Sequence, residues 1–68
     1  MRIPDNILSF ARMIEKEGWG VRVEWYDSLS WKVMALYGDK FIGLIVPHDM
    51  THSMAKSRIS QMRHQFGV

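Results

Sequence analysis

Apolar and polar positions follow three different rhythms along this chain, and each predicts an element. Ile7, Phe10 and Ile14 recur at spacings of three and four, with Ala11 beside them. That spacing lines one face of a helix over about residues 5–17. Asp5 or Asn6 is the expected N-cap, because a short polar side chain can accept from the free N–H groups of the first turn. Glu15-Lys16-Glu17 reads as solvated. Gly18 suits the residue just past the helix, where a left-handed backbone costs glycine little. From Trp19 to Trp25 the rhythm changes to strict alternation. Val21, Val23 and Trp25 point one way and Arg22 and Glu24 the other, as in a half-buried strand.

Tyr26-Asp27-Ser28-Leu29 predicts a turn, with Asp and Ser able to bond their own backbone. A second strand covers Ser30 to Tyr37. Gly38-Asp39 is a two-residue hairpin signal, and a third strand runs from Lys40 to Val46. Pro47 stops the ladder because it has no N–H to donate. Ala55, Ile59, Met62 and Phe66 then form a second helical stripe, within a helix from about Thr51 to Gln65 with Gly67 just past its end. The expected fold class is α+β, in the order α-β-β-β-α. A three-stranded antiparallel sheet with both helices on one face is the economical packing.

Strands two and three are apolar on both sides. Trp31, Val33, Ala35 and Tyr37 oppose Met34 and Leu36, while Phe41 and Ile45 oppose Ile42, Leu44 and Val46. Helices can cover only one face, so the other is expected to carry an apolar patch of the kind that marks interfaces. The interface candidates are Trp31, Met34, Leu36, Ile42 and Leu44. The alternative is shielding by long side chains such as Arg22 and Lys32.

At 68 residues the chain makes one small domain whose core is marginal by itself. It has no cysteine, which excludes disulfides and thiolate metal sites and leaves tight packing or oligomerisation as support. No apolar run approaches the length of a membrane span, and the N-terminus lacks a basic-then-apolar signal pattern. A cytoplasmic protein that does not engage a membrane is expected.

Net charge is +2, and its distribution says more than its size. Residues 1–49 carry six Lys/Arg against seven Asp/Glu, whereas residues 50–68 carry three Lys/Arg and no acid. With Ala55, Ile59, Met62 and Phe66 turned inward, His52, Lys56, Ser60 and Arg63 fall along one flank of the last helix. These four are the candidate nucleic-acid contacts, since cations along one edge can track phosphates. The competing reading is an ordinary solvated helix with cations favoured near its C-terminus.

Other chemistry is sparse. His48, Asp49 and His52 cluster, but the spacing crosses a loop-to-helix junction and supplies too few donors, so no metal and no cofactor is expected. Trp19, Trp25 and Trp31 can stack on bases, although their alternation with valines speaks mostly for core packing. There is no Gly-rich phosphate loop, no Ser/His/Asp arrangement and no carboxylate pair at useful spacing.

Glu15-Lys16-Glu17-Gly18-Trp19, three short strands, Val46-Pro47-His48 and a terminal helix closing on Gln65-Phe66-Gly67-Val68 resemble, in that order, the HicA toxins. The resemblance runs from Ile7 to Val68. It implies a double-stranded-RNA-binding-like fold, a place in a toxin–antitoxin pair and an RNA substrate, because the family are small mRNA interferases. The family's Gly-Ser-His motif, whose His is catalytic, enters the second strand. Here that stretch is Tyr26-Asp27-Ser28-Leu29-Ser30-Trp31, without His. A 2′-hydroxyl needs a base titrating near neutrality, for which imidazole is suited, so ribonuclease activity is not expected. His48, at the Val-Pro-His position, is the weak substitute candidate, with Asp27 behind it. The expected function is an RNA-binding module. The alternatives are a protein-interaction module that uses the open sheet face to dimerise or to bind an antitoxin or host protein, and an active interferase.

Overall fold

A computed structural model describes residues 2–68. The elements are α1 (Asp5–Lys16), β1 (Gly20–Asp27), β2 (Ser30–Tyr37), β3 (Lys40–Pro47) and α2 (His52–Phe66). The strands form one antiparallel sheet in the order β1-β2-β3, and the helices cover one face of it. The expected α-β-β-β-α order and α+β class are therefore observed.

Both apolar stripes are buried as their spacing requires. Ile7, Phe10, Ala11 and Ile14 of α1 and Ala55, Ile59, Met62 and Phe66 of α2 are all inaccessible. They join Trp19, Trp31, Val33, Ala35, Val46 and Met50 in a single core. Trp19 meets Phe66 edge to face with ring centroids 4.9 Å apart, a favoured aromatic geometry. Among the described residues no polar or charged side chain is buried, and no buried side-chain nitrogen or oxygen lacks a hydrogen-bond partner.

The register decides which residues face the helices. Val21, Ala35 and Ile42 lie in one row, and Val23, Val33 and Leu44 in the next. A third row holds Trp25, Trp31 and Val46. Side chains alternate along a strand, so Arg22, Glu24, Lys32, Met34, Leu36, Phe41 and Ile45 occupy the outer face. Three of the expected interface residues are thereby corrected. Trp31 is buried in the core, and Ile42 and Leu44 pack against it from the helix side. Only Met34 and Leu36 are outer-face residues. They are joined by Phe41, 66% exposed, and Ile45, 46% exposed.

Two local expectations also change. Neither Asp5 nor Asn6 caps α1. The N-cap is Pro4, which offers no side-chain bond; its carbonyl accepts from the Ile7 and Leu8 amides. Asn6 instead donates to the carbonyls of His48 and Met50, both at 2.9 Å, tying the start of α1 to the β3–α2 loop. Strand β1 extends two residues beyond Trp25, with an irregularity between Trp25 and Asp27 where Tyr26 has no opposite number. Such a bulge bends and twists the strand.

The turns are built as their residues suggest. The Asp27 carboxylate accepts from the Leu29 amide at 2.8 Å. Gly38 has φ +62° while Asp39 stays negative, the pattern of a turn that needs glycine first. Thr51 caps α2 by accepting from the Met54 amide, and Gly67 closes it in the left-handed region. The two sheet edges differ. Edge strand β1 carries the bulge and the Arg22 and Glu24 charges; edge strand β3 runs from Phe41 to Val46 without either. Among the described residues no helix is long and apolar enough to cross a membrane.

Candidate nucleic-acid interface

The candidate site forms where α2 lies beside the C-terminal half of α1. The two helices leave a groove of about 260 Å³ lined by Met13, Lys16, Glu17, Lys56, Ile59 and Arg63. Met13 and Ile59 floor it, Ile59 being held in the core by the inward stripe of α2. Three cationic side chains and one carboxylate rim it.

All four residues of the sequence-predicted flank, His52, Lys56, Ser60 and Arg63, are exposed. Their surroundings separate them. Lys56 and Arg63 line the groove. His52 lies further along α2, beside Asn6 and Ser9 of α1. Ser60 lies outside the groove lining. Lys16, which sequence alone read as merely solvated, joins Lys56 across the helix pair.

Arg63 is not a free cation. Its Nε and Nη2 donate to the two carboxylate oxygens of Glu17, at 2.5 and 2.7 Å. This is the paired fork geometry that gives arginine–carboxylate contacts their strength and orientation. Glu17 is correspondingly enclosed, its side chain 22% exposed against 52% for Arg63, and the expectation that it is simply solvated is corrected. The hydrogen bond from Arg63 holds the Glu17 carboxyl below its ordinary range, and the same bond raises Arg63.

The sign of the pH effect follows from that shift. A carboxyl lowered by folding adds stability above its unfolded pKa, and that stability is lost as pH falls through the folded value. The urea midpoint of the native chain is therefore expected to exceed that of Glu17→Gln slightly at neutral pH. The two should converge under acid, and more salt should shrink the neutral-pH gap because the pair is half exposed. Midpoints that keep a constant separation across the acid range would remove the pair from the pH response.

His48 is exposed in the loop after β3. Its amide donates to the Leu29 carbonyl at 2.9 Å, which pins it beside the β1–β2 turn. There it lines a second cavity of about 260 Å³ with Arg2, Pro4, Trp25, Asp27, Ser28 and Trp31. Among the described residues no group of three His, Cys, Asp or Glu is placed to hold a metal ion.

On the outer face, Met34 and Leu36 are half-buried, with Lys32 next to Met34 over Gly43, while Arg22 and Glu24 approach one another at 3.9 Å. The Lys32 Cε is 3.7 Å from where a β-carbon at Gly43 would lie. The lysine stem thus covers part of the apolar centre, as expected for long charged side chains.

Comparison with protein-family models, with curated proteins and with solved structures finds no match. The fold and the groove are what the functional reading stands on.

Proposed function

We propose that this chain is a small RNA-binding module of HicA-like type, without ribonuclease activity, that holds the phosphate backbone along the α1–α2 groove. The observation that carries the reading is the meeting of Lys16, at the end of α1, and Lys56 of α2 at one groove, the second of them on a helix that has no acidic residue. Arg63 adds a third cation, partly neutralised by Glu17. Contacts of this kind bind phosphate without reading sequence.

The non-catalytic part of this proposal is supported by the stretch Tyr26-Asp27-Ser28-Leu29-Ser30-Trp31, which lacks the His that the HicA toxins carry there. Trp31 closes that stretch and is buried in the core, so its side chain serves packing.

The test is the salt dependence of affinity for a labelled RNA, followed alongside the integrity of that RNA. Each lysine that neutralises a phosphate contributes about 0.7–0.9 to the slope of log K against log salt. Lys56→Ala is expected to reduce the slope by about that amount, while the RNA stays intact throughout. Binding indifferent to salt and to Lys56→Ala would end the phosphate reading, and cleavage by folded protein would end the non-catalytic one.

A further inference from the structure

The second cavity, at the opposite end of α1 from the groove, has a composition that the phosphate reading does not use. Trp25 stands in the helix-facing row of the sheet with Trp31 and Val46. Those two are 5% and 1% exposed, yet Trp25 is 53% exposed. The reason is local. Trp25 lies on the edge strand, at the level where α1 has only begun, and Arg2 and Pro4 line the cavity beside it rather than close it. An indole therefore fronts an open cavity whose other polar wall is Asp27, Ser28 and His48.

We infer that this cavity binds an unpaired base of the RNA, stacked on the Trp25 indole. The inference rests on the RNA reading above and adds to it where a base would sit. Stacking suits the indole because every base presents a π-face. Hydrogen-bonding groups at a base edge would meet Asp27, Ser28 and His48, of which Asp27 keeps one carboxylate oxygen free of the turn bond. Arg2, paired only at 3.9 Å with Asp5 and highly exposed, supplies a cation for the adjoining phosphate. The ligand class is thus a single-stranded ribonucleotide segment rather than a fully paired duplex, whose bases are already stacked.

The test compares a short adenine oligoribonucleotide with the same oligomer lacking its bases, each titrated against the full chain. Trp31 also lines the cavity, so base stacking on Trp25 is read as the part of the tryptophan quenching that Trp25→Phe removes. Quenching is expected with the base-bearing oligomer and not with the abasic one. Trp25→Ala should weaken binding of the base-bearing oligomer by about tenfold and leave abasic binding unchanged. Trp25→Phe, which keeps an aromatic face and guards against a folding defect, should retain most of the affinity. Lys56→Ala should weaken both oligomers. If Lys56→Ala weakens binding but Trp25→Ala does not, or weakens both oligomers alike, the base pocket is overturned and the groove stands. If neither oligomer binds, both readings fall.

Discussion

Phe10→Ala is expected to leave the chain largely unfolded at room temperature. Phe10 is fully buried at the centre of α1 and joins the core built by both helices and the sheet. Truncating a buried phenylalanine costs about 3–5 kcal/mol, from lost transfer energy plus the cavity that remains. A domain of 68 residues has a total stability of roughly 3–10 kcal/mol, and no disulfide supports it. The loss is therefore of the same order as the whole. Circular dichroism and a urea titration would measure it. The contrast is Phe41→Ala on the outer face, where the ring is mostly exposed and the expected change is within about 0.5 kcal/mol. A Phe10→Ala protein that melts like the native one would mean that α1 is not docked as described.

The second large effect is expected on RNA affinity, under the proposed role of the groove. With Lys16→Ala and Lys56→Ala combined, the two proposed phosphate contacts are removed together. At about 0.7 per contact for a single strand, the salt slope falls by about 1.4. At tenth-molar salt that corresponds to a roughly 25-fold loss of affinity, which fades toward molar salt. Arg63→Ala alone should lose less than the double variant because it removes one cation rather than two, although it leaves the Glu17 carboxylate unpaired at the groove. Fluorescence anisotropy across a salt series measures both variants. Equal losses at low and high salt would point to damaged packing rather than lost charge.

The helices were legible in the sequence because each carries a single apolar stripe that only one orientation can bury. Ile7, Phe10 and Ile14, and likewise Ala55, Ile59, Met62 and Phe66, admit no second solution. The faces of the sheet were harder. Strands β2 and β3 are apolar on both sides, so alternation alone cannot choose between them. The choice comes from β1, where Val21 and Val23 contrast with Arg22 and Glu24 and transmit their orientation through the register to Ile42 and Leu44. That signal was present, but it needed the pairing to be read across three strands.

The groove was half legible. The side of α2 that carries Lys56 and Arg63 follows from helical geometry, whereas the partner they meet does not. Glu17 and Arg63 are 46 positions apart, and nothing local in Glu15-Lys16-Glu17 distinguishes the second glutamate from the first. Asn6 illustrates the same limit. It looked like a cap from its position, and its side chain was drawn away by two carbonyls more than forty residues downstream. Trp25 obeyed its alternation and still ended up open, because exposure at that row depends on where α1 begins.

The unequal borders of the sheet have a consequence for self-association. A strand border with unpaired backbone groups is a template for another chain, and charges or irregularities blunt it. The first border is blunted twice, by Arg22 and Glu24 and by the extra residue at Tyr26. The other has an uncharged run from Phe41 to Val46 in unbroken pairing with its neighbour. Strand addition, whether as regulated assembly or as precipitation at high concentration, is thereby steered to the third strand, and a lysine placed at Ile45 is the substitution that would close that route.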